Sequence, residues 1–453
     1  MFHFTITLRR INQSDEALDY SNKNHHIEDF MTSSIVSLAN TEKKKKTHAL
    51  FAGVARKLLF SQLKKLSTGC LVIVENDQHH HFGEALTRGD ALYAEMHIHD
   101  TSCYADIVSG GSIGAPEAYM TGDWTTPDLT MMVRVMVRNM DLLNQMEGGI
   151  ATLSRPVLKW FHKLNENTEK GSRRNIAAHY DLGNDFFKLF LDPSMMYSSG
   201  IFPSESASMA VASETKLKRI CEKLQLTADD HVIEIGTGWG GFAIYAAKNY
   251  GCRVTTTTIS EQQYLLAKER VEAEGLSDNI SLLTEDYRNL QGQYDKLVSI
   301  EMIEAVGWEY YDTFFKTCSS LLKPTGVMLI QAITIEDQRY ERAKKDVDFI
   351  KKYIFPGSCI PSISALTTAS MNASDMRLVH LDDFAEHYAR TLNAWAKQLE
   401  VNIDEARAQG YSEDFLRMWF FYLSYCEGGF EERAIGVSHM VFAKPEHRSE
   451  VIQ

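Results

Sequence analysis

The sequence predicts an α/β fold: a parallel, Rossmann-like sheet covered by helices on both faces, with a helical lid insertion and a smaller N-terminal α+β domain. Three observations carry this. From about residue 230, short runs rich in Val, Ile and Thr alternate with stretches of helical periodicity, the pattern of strands joined by crossover helices. The first run ends in a glycine-broken turn that opens a helix. Ahead of residue 150 the alternation is absent, and a helix precedes short, separate strands.

At 453 residues the chain is long enough for more than one full-sized core. No apolar run reaches the roughly 18 residues of a membrane helix, and no signal-peptide pattern is present. Seven scattered cysteines, odd in number and outside metal-ligand spacing, read as reduced thiols without structural zinc. A cytoplasmic protein without a metal is the expectation. Net charge of −13 argues against a nucleic-acid partner. Two basic regions stand out: Lys43 to Lys46 with Arg56, Lys57, Lys64 and Lys65, and a second from Arg134 to Arg174. Each reads either as a solvated face or as a dock for anionic lipid, where a basic group near the surface contributes about 1 kcal/mol.

Taken in order, residues 1–47 form a polar basic arm, expected to be poorly ordered. Residues 48–147 form the small domain, with a helix over 50–66 and strands over 69–74 and 92–98. His79, His80 and His81 fall between those strands and read as a polar turn. A glycine-broken stretch follows, then one amphipathic helix over 129–146. Residues 148–172 read as a basic helical linker, and the larger domain runs over 173–453. It starts with a helix pair over 175–190, a loop over 195–202 and a helix over 209–226. Strands follow over 232–235, 253–258, 280–283, 296–300 and 326–332, with helices over 242–249, 261–274 and 310–322. Residues 335–372 interrupt the sheet as a lid, and strands over 377–381 and 434–443 complete it.

Ligands of such sheets bind at the carboxyl ends of strands near the switch point. The turn there, Ile235-Gly-Thr-Gly-Trp-Gly-Gly, holds Gly236, Gly238 and Gly241 in a G-x-G-x-x-G pattern. Its glycines allow backbone N–H groups to approach a ligand, and the new helix points its positive end there. The pattern also marks dinucleotide sites. In those an acid is expected about 20 residues later, yet Arg253 to Ser260 contains none. Glu234 instead lies two residues before the first glycine, where it can reach an amine or hydroxyl. These details favour S-adenosylmethionine (SAM) over a nicotinamide.

Further blocks then carry a resemblance: Ala178-His-Tyr-Asp-Leu-Gly-Asn-Asp-Phe-Phe, Leu191-Asp-Pro-Ser-Met-Met-Tyr-Ser-Ser, Thr258-Ile-Ser-Glu-Gln-Gln, Asp286-Tyr-Arg, Ile303-Glu-Ala-Val-Gly, Lys352-Tyr-Ile-Phe-Pro-Gly and Phe421-Tyr-Leu-Ser-Tyr-Cys-Glu-Gly-Gly-Phe. With the glycine turn and in this order, the chain resembles the cyclopropane-fatty-acid synthase family of SAM-dependent methyltransferases from about residue 173 onward. The segment before 150 resembles that family's lipid-associating domain more weakly. The resemblance implies a class I methyltransferase fold and a cofactor site. Tyr197 and Ser198 would hold the methionine end, and Gly236 and Gly238 would line the turn. Thr258 and Gln263 would meet the ribose region, Asp286 and Tyr287 would flank the adenine, and Tyr180 and Glu234 join the set. It also implies a reaction in which an unsaturated phospholipid acyl chain takes the methyl and the resulting cation loses a proton to a base. In the family that base is bicarbonate, held by a cysteine, a glutamate, a histidine and a tyrosine. The protein would then work peripherally on the inner membrane leaflet, and a homodimer is one assembly open to it.

Here the sequence departs from the family. Glu304 and Tyr388 match, but the cysteine position is Ser199 and the histidine position is Gln331; Cys426 matches a further cysteine near the site. Gln331 cannot carry positive charge, so an anion is held less strongly. Glu301 stands where the family usually has glycine, three residues before Glu304. If both carboxylates share one pocket, repulsion raises one pKa and leaves the other ionised. Glu301 would then supply the charge or base that bicarbonate supplies elsewhere. Turned outward, it would pair with a surface Lys or Arg. A methyl- or methylene-branched product, a soluble small-molecule substrate and binding without turnover are the other readings these residues leave open.

Overall fold

The computed structural model describes residues 51–147, 165, 167–180 and 183–448. The arm over 1–47 and most of the linker over 148–172 lie outside the described residues. The described residues belong to one compact unit, His48–Gln453.

A four-stranded sheet in the order β2-β1-β3-β4 comes first, built from β1 (Cys70–Glu75), β2 (Gln78–Gly83), β3 (Tyr93–Ile98) and β4 (Trp124–Thr125). The histidines at 79–81 lie inside β2, paired antiparallel with β1, rather than in a turn. The turn is Asn76-Asp77, whose φ values of 49° and 62° suit a two-residue hairpin connection. The helix expected over 129–146 is two helices, Leu129–Arg138 and Met140–Glu147. They break at Asn139, whose side chain accepts from Ser67 N–H and donates to Thr68 and Val135 carbonyls. A polar side chain recruited to satisfy a distant loop overrides the local helical pattern.

The larger sheet has the order β10-β11-β9-β8-β5-β6-β7. Its strands are β5 (His231–Ile235), β6 (Arg253–Thr257), β7 (Ile280–Leu283), β8 (Tyr294–Ile300), β9 (Leu322–Ile335), β10 (Arg377–Asp383) and β11 (Ile435–Ala443). β5 to β9 run parallel, while β11 is antiparallel to both its neighbours. The chain lays β5, β6 and β7 outward, then returns to place β8 on the other side of β5. The switch point is therefore between β5 and β8, and the two segments leaving it are Gly236–Gly241 and the turn at Glu301. β9 is longer at both ends than expected from sequence, because pairing with β8 and β11 holds it beyond its apolar centre. The insertion after it holds the helix Asp337–Ala343, a π turn Ile350–Ile354 and the helix Ile363–Ala373.

The helix Glu413–Glu431 joins the two sheets. It packs on the helices Gly114–Met120 and Leu129–Arg138 of the N-terminal part and on Ala385–Val401 of the larger part. Close approach at its C-terminal end depends on Gly428, where a Cβ would lie 2.7 Å from Val133 Cγ1 and 3.2 Å from the Thr130 carbonyl oxygen. Gly428→Leu should therefore destabilise the protein by about 1–3 kcal/mol through overpacking. A fall in the thermal midpoint checks this, and an unchanged midpoint would refute the close contact.

Candidate active site

The cofactor side is built on β5 and β6. Gly236, Gly238 and Gly240 all have positive φ, and a side chain at Gly238 would meet nothing within 4 Å, so the turn borders open space. The buried threonines of β6 are satisfied locally: Thr256 donates to Glu234 at 2.6 Å and also contacts Thr237 at 2.7 Å. Glu234 is thus turned into the sheet, and burial pushes its carboxyl up to about 8. Thr258 donates to Gln263 at 2.8 Å. Asp286 is gripped by Arg288 through two bonds of 2.7 Å, which hold its carboxyl below the usual range against the opposing effect of burial. Tyr287 packs edge-on to Phe314, and its buried hydroxyl has no hydrogen-bond partner, a group left for a ligand or water. Tyr180 ends the helix Glu169–Tyr180, and its side chain lies outside the described residues. Tyr197 donates to Tyr422 Oη at 3.0 Å, and Ser198 accepts from Lys216 Nζ at 2.7 Å.

Across the switch point, Glu301 follows directly on β8 with φ 49°. A left-handed backbone costs a non-glycine residue about 1–2 kcal/mol. The conformation turns the side chain inward, where it meets three donors. Oε1 accepts from Ser199 N–H at 3.0 Å and from Gln331 Nε2 at 2.7 Å; Oε2 accepts from Tyr388 Oη at 2.6 Å. The outward pairing with a surface cation does not occur. Burial raises the Glu301 carboxyl, opposed by these three bonds and by the positive charge of Lys216.

Glu304 sits on the turn Ile303–Ala305. One oxygen accepts from Ile333 N–H; the other is buried without a partner. Burial, then the charge of Glu301, pushes it up to about 8. The two carboxyls thus differ: Glu301, half-buried, is met by three donors that solvate its charge, whereas Glu304, buried with one backbone donor, holds its proton the more tightly.

Gln331 is oriented from behind. Its Oε1 faces His439 Nε2 at 3.0 Å, and His439 Nδ1 faces Lys223 Nζ at 3.3 Å. Since the ammonium can only donate, Nδ1 accepts, Nε2 donates, and the Gln331 amide is left with its N–H toward Glu301. Burial, and then the nearby Lys223, hold His439 far below the usual histidine range, in keeping with this neutral tautomer. Cys426 is brought beside Tyr388 and Tyr422, but burial pushes its thiol well above the usual range, so it is no nucleophile.

The expected set Ser199, Glu301, Gln331 and Tyr388 therefore meets in one pocket, with Glu304 close enough to be affected by Glu301's charge. Lys216, His439, Lys223 and Tyr422 were not expected there. For Lys216 a signal existed: it lies four residues from Ala212 and from Ile220, on the apolar stripe of its helix. The aromatic rings around this set are mostly core. Phe186, Phe187, Phe190 and Trp419 are fully buried and packed on one another, Phe349 is fully buried against Phe421, and half-buried Phe355 faces Tyr197 and Tyr422.

An open glycine cradle at the switch point of this strand order, with buried carboxyls across from it, defines a class I SAM-dependent methyltransferase. A sequence model of the mycolic acid cyclopropane synthetase family matches residues 167–440, more than half of the chain. The chain belongs to that family. It is 35% identical over 364 residues to the tuberculostearic acid methyltransferase UfaA1 of Mycobacterium tuberculosis, covering 78% of this chain and 84% of that one. It is 36% identical over 352 residues to the cyclopropane-fatty-acyl-phospholipid synthase of Escherichia coli, covering 78% and 88%. A solved structure of the mycolic acid cyclopropane synthase CmaA1 with SAH superposes with a TM-score of 0.55 at 30% identity, over 60% of this chain and 98% of that one.

Two outcomes follow from the pocket. Tyr388→Phe keeps the ring stacked on Phe430 but removes the donor to Oε2, at a cost of about 1–3 kcal/mol for the unpaired acceptor. The Glu301 carboxyl rises further, so the acidic limb of the pH–rate profile should move to higher pH; an unmoved limb would count against the contact. Glu304 has a folded pKa of about 8 against an ordinary value of 4.5. Its protonated form therefore stabilises the fold fully below about pH 4.5, and that contribution is lost as pH rises through about 8. Glu304→Gln should flatten this dependence, melting above the parent near pH 9 and not near pH 5 (both roughly chosen to bracket the window).

Proposed function

We propose that the enzyme transfers the methyl carbon of SAM to the double bond of an unsaturated phospholipid acyl chain, and that Glu301 takes the proton whose loss closes a cyclopropane ring. The observation that carries this is the convergence of Ser199, Gln331 and Tyr388 on the Glu301 carboxylate. The residues at these positions are those through which the family would hold bicarbonate. Here their donors already end on a side chain, so the pocket does not suit bicarbonate as well.

SAM, when bound, supplies an electrophilic methyl group. Gly236 and Gly238 would admit it to the turn, with Tyr197, Ser198, Thr258, Gln263, Asp286 and Tyr287 around it. The alkene's π electrons would form the new carbon–carbon bond as the sulfur–methyl bond breaks and its electron pair returns to sulfur, releasing S-adenosylhomocysteine and leaving positive charge on the neighbouring carbon. The Glu301 carboxylate and the rings of Tyr197, Phe355 and Tyr422 lower the energy of that charge. Glu301 then accepts a proton from the added methyl, and the electrons of that C–H bond close the ring. Protonated Glu304 remains uncharged beside it, so the pocket does not accumulate two negative charges.

Peripheral attachment to the cytoplasmic leaflet fits the substrate, and the four-stranded-sheet region is the part proposed to meet lipid. Phe51, Val54 and Leu58 are exposed at one-face spacing along the helical residues 51–63, near exposed Lys57, Lys64 and Lys65. Among the described residues no helix is long and apolar enough to cross a membrane.

The test is Glu301→Gly, assayed by S-adenosylhomocysteine release and lipid mass spectrometry with unsaturated phosphatidylglycerol vesicles. Activity should fall roughly 100-fold, as for loss of a catalytic base, and return with millimolar bicarbonate, while the parent enzyme ignores bicarbonate. Unchanged rate and product in the variant would sink the assignment of Glu301. A methyl-branched product from the parent enzyme would place proton loss elsewhere.

A further inference from the structure

Lys216 lies on the helix Met209–Leu224 and has 0% exposure. An ammonium has three donors, and a buried one that spends a single hydrogen bond is costly. Its one hydrogen bond among the described residues goes to Ser198 Oγ. Ser198 precedes Ser199, whose N–H holds Glu301. The lysine therefore touches the cofactor loop one residue away from the bond that fixes the base. The carboxylates it feels most are Glu301, Asp192 and Glu234. All three also accept from other donors: Asp192 from Ser194 N–H and Ser213 Oγ, Glu234 from Thr256, and Glu301 from Ser199, Gln331 and Tyr388.

We propose that Lys216 is a positioning residue for the reaction: a buried counter-charge that keeps Glu301 ionised and ready to take a proton, and that ties this state to the cofactor loop through Ser198. The proposal rests on the reading of Glu301 as the base.

The physical case is one of compensation. The groups that face Glu301 from the elements around it are Tyr388, Tyr422, Glu304, the amides of Ser199 and Gln331, and Lys216. Tyrosines in such surroundings stay neutral, and protonated Glu304 adds no charge. Lys216 is thus the one cation among these groups, and its geometric link to Glu301 runs through Ser198 and the adjoining Ser199 N–H. His439 and Lys223 act from behind Gln331: His439 is neutral, and Lys223 is paired with Asp382 at 2.8 Å. Hydrogen bonds alone hold a carboxylate in place, but a full opposite charge nearby is what lowers its proton affinity at a buried site. When Glu301 takes the proton, the pocket keeps the positive charge of Lys216. That favours return of the proton to water and resets the base.

The experiment uses the full chain with unsaturated phosphatidylglycerol vesicles. The variants are Lys216→Met, Glu301→Gln and the two together, followed by kcat against pH, KM for SAM and thermal midpoint. For Lys216→Met the acidic limb of kcat should move up by about one pH unit, with kcat near neutral pH down about tenfold. KM for SAM should change less than kcat. In the Glu301→Gln background, removing Lys216 should cost no further activity, and the double variant should melt above Lys216→Met, since no buried charge is then left unpaired. A Lys216→Met enzyme with the parent's pH profile overturns the proposal, as does failure of both Lys216→Met and the double variant to fold, which makes Lys216 a packing residue. Parent-like activity in Glu301→Gln overturns the reading of the base instead.

Discussion

A carboxylate taken out of water at a buried site costs several kcal/mol unless donors replace its hydration. At Glu301 the donors come from three separate places: the loop after Asp192, strand β9 and the helix Ala385–Val401. Their meeting depends on one register. β8 and β9 pair so that Ile300 lies opposite Gln331, and Glu301 N–H then bonds the Gln331 carbonyl at 2.8 Å while the Gln331 amide returns to the carboxylate. A slip of one residue would send Gln331 to the other face of the sheet and leave the charge without a partner. The central sheet is thus a template for the pocket as well as a core.

The same geometry separates two glutamates that sequence spacing alone leaves equivalent. Glu301 sits in a left-handed conformation that aims it at donors, and Glu304 sits in a turn with only one backbone N–H to accept from. Environment, not residue type, therefore assigns the charged and the neutral partner. The price of a non-glycine residue at positive φ is small beside the solvation it provides.

Much of the fold was legible because it is written locally. Alternating strand and helix patterns, the glycine turn and the acid-free second strand point to the parallel sheet and to SAM as the cofactor, since each depends on neighbours within a few residues. The misplaced turn at 79–81 arose from overlooking Asn76-Asp77, a hairpin signal in plain sight. The break at Asn139 was not legible, because its cause is a loop some 70 residues away. The inward direction of Glu301 was open for the same reason: it is decided by strand pairing and by Tyr388, 87 residues on. Lys216 was the accessible omission, since a lysine on an apolar helical stripe asks for a buried partner.

The N-terminal part and the pocket share a support. Helix Glu413–Glu431 carries Tyr422 and Cys426 on the pocket side, while Glu427 accepts from Thr130 and Glu432, at its end, pairs with Arg134 and Arg138. Glu117 of the N-terminal part also binds Lys352 and Tyr353 in the lid insertion. Part of the second basic region is therefore neither a free solvated face nor a lipid dock: Arg134 and Arg138 are spent holding a carboxylate that is itself nearly buried. Among the described residues of the first region, Lys57, Lys64 and Lys65 are exposed near the apolar stripe at Phe51, Val54 and Leu58. Through Glu117 and the long helix, the N-terminal part reaches the lid insertion and Tyr422, so its placement bears on how Tyr197 and Tyr422 are held.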